Sequence, residues 1–203
     1  MIAVLALAIA AQTWGPQRLP AVKDEEDPLV DAALLVPGLI VDLAYASPDN
    51  LAGRALYPKD AKCLLRRSVA ERLALAAAAL RKQGYRLVAR DCTRSEEAQK
   101  ALWKAHPQPG AVADPSRGSL HERGVAVDLE LADPAGARLP MPTAFDAFGP
   151  RAAAEAPLPD GPAKEHREAL KAAMYAAGFR VNPSEWWHYS RLYGWRWPPA
   201  RSR

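Results

Sequence analysis

The sequence predicts a single small α+β domain, on three observations. Two stretches rich in Ala and Leu, 68–83 and 162–177, have helical composition and run into Gly84 and Gly178. A helix end favours glycine because glycine adopts positive φ at no steric cost. Short stretches of β-forming composition lie around them at 36–45, 85–90, 125–131 and 179–181, as strands bounded by turn residues should. Helical and extended segments do not alternate with βαβ regularity, which sets aside a doubly wound parallel sheet.

Each element follows from local composition. Residues 1–11 carry no charge and consist almost wholly of Ala, Ile, Leu and Val, with Ala8-Ile-Ala10 in the small-x-small form that signal peptidases accept. The stretch is too short for a membrane span of about 20 residues, so it reads as a secretory signal, although a positive n-region is missing. The other reading is a disordered or packed apolar N-terminus in a cytoplasmic protein. Residues 12–30 are polar, contain prolines and include the acidic run Asp24-Glu-Glu-Asp27; they read as a flexible leader, which leaves 31–203 as the functional domain. A strand is expected after Pro37-Gly38, within 36–45, and a turn at Ser47-Pro-Asp-Asn50. The helix 68–83 is followed by a strand at 85–90. Thr93-Arg-Ser-Glu96 fits a capping box that opens a helix to about Ala105. Residues 107–118 and 139–158 are rich in proline and read as loops. In the strand 125–131, Val127 and Leu129 face away from Ala126, Asp128 and Glu130. The helix 162–177 leads into a last strand that starts at Phe179 and runs toward Glu185.

Bulk properties narrow the function classes. The 203 residues carry a net charge of +4, and 49% are apolar, enough for a real core. Basic residues are scattered, with no dense run or interleaved aromatic platform, so no nucleic-acid partner is expected. No other segment is apolar enough to span a membrane. There are two cysteines, Cys63 and Cys92. If the chain is exported, a bridge between them would close a loop of about 30 residues and stabilise by about 3 kcal/mol; two buried free thiols are the other reading.

Two of the four histidines fall in the stretches that carry the chemistry, Ser119-Leu-His-Glu-Arg-Gly-Val-Ala-Val-Asp128 and Glu185-Trp-Trp-His188. His121 and Asp128 are too far apart for one helical turn, but a loop carrying His121 into a strand carrying Asp128 can bring both to one ion, with Gly124 allowing the turn. His188 arrives from the last strand. Two imidazoles and a carboxylate suit one Zn²⁺ with an open fourth position. Glu185 is then the candidate general base; as an alternative it orients a ligand histidine. Arg94 follows a strand end, where it can stabilise an oxyanion or merely compensate Glu96 and Glu97 at the surface. Singly, each of these residues has a structural reading, and Trp186-Trp187 reads as core or pocket wall. The combination favours a catalytic metal site.

These motifs resemble the zinc D-Ala-D-Ala dipeptidases, the VanX-type branch of the D-alanyl-D-alanine peptidases. The family's Ser-x-His-x-x-Gly-x-Ala-x-Asp is complete in Ser119–Asp128, and its Glu-x-x-His is Glu185–His188. Asp42–Asn50, Asp91–Arg94 and Met141–Asp146 are weaker echoes. The resemblance implies an antiparallel sheet flanked by helices with the zinc site at the sheet. It implies His121, Asp128 and His188 as ligands of one Zn²⁺ per chain, Glu185 as general base and acid, and Arg94 polarising the scissile carbonyl. Tyr45, Ser119 and Asp146 would then line the substrate pocket, and charge logic points Asp146 at the free amine of a dipeptide. Ala44 stands where the branch has arginine, Thr93 and Ser95 flank Arg94 in place of Tyr and Pro, Pro142 replaces a glycine and Leu51 a Phe. These departures bear on substrate choice. The expectation is therefore a periplasmic or secreted zinc peptidase acting on D-Ala-D-Ala or a similar small peptide. The rivals are a carboxypeptidase or endopeptidase acting on longer peptidoglycan peptides, and a non-catalytic zinc protein binding cell-wall peptides.

Overall fold

The computed structural model describes residues 20–108 and 110–200. The expected signal, 1–11, lies outside the described residues. A ribbon of β1 (Leu29–Asp31) and β3 (Leu64–Arg66) stands beside a five-stranded sheet. The sheet order is β2 (Ile40–Val41), β4 (Arg86–Asp91), β5 (Ala126–Ala132), β7 (Glu185–Arg191), β6 (Phe179–Asn182). Four of these strands are antiparallel neighbours as expected, while the short edge strand β2 runs parallel to β4. The helices are a single turn α1 (Ala32–Leu35), α2 (Arg67–Arg81), α3 (Glu96–Ala105) and α4 (Pro162–Ala176). Among the described residues, no helix is long and apolar enough to cross a membrane.

Helix α2 buries Val69, Ala70, Leu73, Ala76, Ala77 and Leu80, an i, i+3, i+4 stripe that packs against α4 and β4. Strand β5 lies at the centre with all seven residues buried. Its Val127, Leu129 and Leu131 join the main apolar core, while the alternate face carries Asp128 and Glu130. This is the expected alternation, with both faces covered. Cys63 and Cys92 form a disulfide, which decides between the two readings of the cysteines.

Three local expectations change. First, the leader, from residue 20 onward, is folded onto the domain. Val22 N donates to Arg196 O at 2.9 Å, and Asp27, 7% exposed, accepts from Ser68 N at 2.9 Å and from Trp197 Nε1 at 2.8 Å. The boundary expected at residue 31 falls at the end of β1. Second, the strand at 36–45 shrinks to Ile40–Val41, because the chain turns into a 3₁₀ helix at Ala44–Ala46. There the Tyr45 carbonyl accepts from Leu56 and Tyr57 N–H at 2.8 and 3.0 Å. Third, the cap of α3 is Ser95, whose side chain accepts from Ala98 N. Thr93 instead gives its hydroxyl to Leu64 O at 2.6 Å, so the capping box is not formed.

Candidate active site

The sheet register assembles the site. Asp91 on β4, Asp128 on β5 and His188 on β7 face one another across three adjacent strands. His121 comes from the loop before β5. That loop turns at Gly124, φ +70, where a Cβ would stand 2.6 Å from Leu29 Cδ2; only glycine meets both demands. Ser119 Oγ accepts from His121 N at 3.1 Å and holds the loop's shape.

His121 Nε2, Asp128 Oδ1 and His188 Nδ1 converge. They lie 3.1 Å (His–His), 3.3 Å (His121–Asp128) and 3.0 Å (His188–Asp128) apart. Donors at about 2.0–2.1 Å from a tetrahedral zinc sit roughly 3.3 Å from one another, so the spacing fits. Asp128 Oδ1 is buried without a hydrogen-bond partner among the described residues, as a ligand atom reserved for a cation would be. His121 Nδ1 donates to Cys92 O at 2.7 Å, with Asp91 Oδ2 at 3.4 Å. This fixes the tautomer that leaves the Nε2 lone pair facing the other two ligands. Burial alone would raise the Asp128 carboxyl pKa, but the two imidazoles outweigh it and hold the group far below the usual carboxylate range. Burial disfavours the His121 cation; Asp128 and Asp91 more than offset this and raise its pKa.

A cavity of about 250 Å³ opens beside these atoms and is lined by every residue singled out from the sequence: Tyr45, Arg94, Ser119, His121, Asp128, Asp146, Glu185 and His188. Glu185, 7% exposed, starts β7 with Oε2 3.8 Å from His188 Nδ1. Burial pushes its carboxyl up to about 7, with His188 pulling the other way and Asp128 and Asp146 adding to the rise. A carboxyl poised there can take and return a proton at neutral pH. Arg94 is not a surface residue: at 8% exposure it gives Nε and Nη2 to Asp91 and Nη1 to Gln99 Oε1. Among the described residues, three of its five N–H groups are thereby committed, and two are left to meet a ligand. Tyr45 donates its hydroxyl to Asp146 Oδ2 at 2.8 Å. Asp146 has φ +60, a conformation aspartate tolerates better than most residues, and burial raises its carboxyl to about 7.

Sequence reasoning missed part of the surroundings. Asp91 and Gln99, both 0% exposed, fix Arg94. Their signal was the i, i+3 spacing of Asp91 and Arg94, which gains meaning only once both are buried. Phe148, Asn182 and Trp195 also line the cavity, with residues 110–113. Among the described residues before Arg94, Tyr45 alone reaches it. Trp187 is a pocket wall, while Trp186 lies in the core with its Nε1 bonded to Thr143 Oγ1.

The family model described as D-Ala-D-Ala dipeptidase matches residues 25–193. The chain is also 40% identical to D-alanyl-D-alanine dipeptidase of Escherichia coli (strain K12) over 161 residues, 79% of this chain and 83% of that protein.

Proposed function

Because the chain belongs to the D-Ala-D-Ala dipeptidase family, we propose that it is a zinc-dependent peptidase that hydrolyses D-Ala-D-Ala or a similarly small dipeptide. The observation that carries the proposal is the convergence of His121 Nε2, Asp128 Oδ1 and His188 Nδ1 on a small cavity that also holds Glu185. A zinc ion held by these three residues would lower the pKa of a water toward about 7 and polarise the scissile carbonyl.

The remaining work falls to the chain's own groups. Glu185, ionised, accepts the proton of the attacking water and, protonated, returns it to the leaving amine; burial, which raises its carboxyl above the usual range, favours the return of that proton. Arg94 offers its two free N–H groups to the carbonyl oxygen as negative charge develops, and Asp91 and Gln99 keep the guanidinium from moving when it does. Asp146 accepts the substrate's ammonium, and the Tyr45 hydroxyl orients the carboxylate for that contact. Ser119 lines the wall, its oxygen already used by the His121 amide. At about 250 Å³, the cavity is smaller than the roughly 300–1,000 Å³ that drug-sized ligands occupy. A ligand of dipeptide size suits that volume. The disulfide supports export to an oxidising compartment, the periplasm or outside the cell.

Alanine release by the zinc-loaded protein tests the reading, with D-Ala-D-Ala, L-Ala-D-Ala and a muropeptide pentapeptide side by side. Cleavage of the free D,D-dipeptide alone is expected. Cleavage only of the pentapeptide would move the protein to the carboxypeptidases or endopeptidases. Zinc binding with no cleavage would leave a binding protein.

A further inference from the structure

Cys92 sits where the pieces of the site meet. Its carbonyl takes the His121 Nδ1 proton at 2.7 Å, and its amide donates to Asp91 Oδ1 at 2.9 Å, the carboxylate that carries Arg94. Its side chain points elsewhere, into the bond with Cys63, and both cysteines are buried.

The position needs fastening. The β4–β5 register slips between Ala89 and Asp91, and the strand ends at Asp91, so the sheet ladder does not reach residues 92–94. Arg94 N donates to His121 O at 3.3 Å; the other fastenings come from the opposite side. The disulfide ties Cys92 to Cys63, and the adjacent Leu64 carbonyl accepts from Thr93 N at 3.1 Å and Thr93 Oγ1 at 2.6 Å. Cys63 is itself anchored through its carbonyl, which accepts from Ala32 N at 2.8 Å. The β1–β3 ribbon and the residues flanking it, none of which lines the cavity, thus grip the backbone carbonyl that accepts from His121 Nδ1.

We infer that the Cys63–Cys92 disulfide is a positioning device for the metal centre: it fixes the Cys92 carbonyl, the carbonyl fixes the His121 ring, and metal affinity therefore depends on the bond. The inference rests on the zinc reading given above. A purely structural staple would change the stability of the fold and leave the affinity of a folded molecule alone. A positioning bond changes affinity by the factor that loss of a ligand's hydrogen-bond partner costs, about 10–100-fold.

The test measures the zinc dissociation constant of the full chain by competition with a chromogenic chelator. Native protein is compared with Cys63→Ala/Cys92→Ala and with Leu170→Ala, a core truncation that weakens the fold but keeps the bond. All are assayed at a temperature where circular dichroism shows them folded. The expected result is a loss of about 10–100-fold in the cysteine variant, native-like affinity in Leu170→Ala, and faster solvent exchange of the His121 Nδ1 proton in the cysteine variant alone. If the alanine pair does not fold, Cys63→Ser/Cys92→Ser, closer in volume, carries the same comparison. Native affinity in a folded cysteine variant, or an equal loss in Leu170→Ala, overturns the inference while leaving the zinc reading intact. A native protein that binds no zinc overturns both.

Discussion

One oxygen of Asp91 holds two nitrogens of Arg94: Oδ2 lies 3.1 Å from Nε and 2.6 Å from Nη2. The other oxygen takes the Tyr57 hydroxyl at 2.6 Å and the Cys92 amide at 2.9 Å. The guanidinium is therefore fixed in plane and direction, which a flexible ammonium cannot reproduce. Arg94→Lys should lower kcat by about 10²–10³-fold with zinc content unchanged. Steady-state kinetics beside metal analysis checks this; an unaltered kcat would remove Arg94 from the reaction.

Glu185→Gln keeps the shape of the side chain and removes the proton acceptor. Activity should fall by about 10²–10⁴-fold while the variant still binds zinc. In the metal-loaded native protein, the nearby cation favours the charged carboxylate, so the acidic limb of kcat/KM should lie below the value of about 7 that burial sets without metal. Substantial activity in the Gln variant would assign the base elsewhere.

Asp146 should be a residue that costs stability and serves binding. Its folded carboxyl stands near 7, against an ordinary 3.8. The protonated form is thus favoured in the fold: its stability is fully present below pH 3.8 and is lost as pH rises through 7. Asp146→Asn avoids the buried charge, keeps an oxygen for Tyr45 and suits φ +60. Without metal at pH 8, the variant should be more stable by about 1–3 kcal/mol, with no gain at pH 3.5. Urea unfolding at the two pH values reads this. The same variant should raise KM for a dipeptide by about 10–100-fold, the worth of a charged hydrogen bond.

Removal of the metal should abolish turnover reversibly. Zinc at about 100 times its dissociation constant should stabilise the fold by about 2.7 kcal/mol. The stabilisation should weaken as pH falls, because His121, its pKa raised by Asp128 and Asp91, takes up a proton that competes with the ion. Thermal unfolding with and without zinc at pH 8 and pH 6 measures it; equal melting temperatures with and without zinc would argue against a metal site.

The grouping of His121, Asp128 and His188 was legible because each motif is local. His121, Gly124 and Asp128 lie on one loop-to-strand turn, and Glu185 and His188 begin one strand. What escaped the sequence depends on partners far along the chain. Thr93 looked like a helix cap, but Leu64 O claims its hydroxyl, and Ser95 caps instead. Asp27 looked like part of a solvated acidic run until Ser68 and Trp197 are seen to bury it. Gln99 is an ordinary polar residue in sequence, and Asp91 stands out there only as the start of a motif echo; their hold on Arg94 appears only where the fold removes water from around it. The strand at 36–45 failed for the same reason: loop residues 56 and 57 draw the Tyr45 carbonyl out of any ladder.

Asp27 joins three parts of the chain: its carboxylate closes the N-terminus of α2 through Ser68 and also accepts the indole N–H of Trp197. Beside it, residues 22 and 196 are hydrogen-bonded backbone to backbone. The two described ends therefore form a clasp, and a protease that opens one end frees the other. A cut past residue 27 would release the tail and uncap a core helix in one event. With residues 20 and 200 joined by a short linker, the described fold would keep its architecture and could be opened instead at an exposed turn such as the one near Gly53.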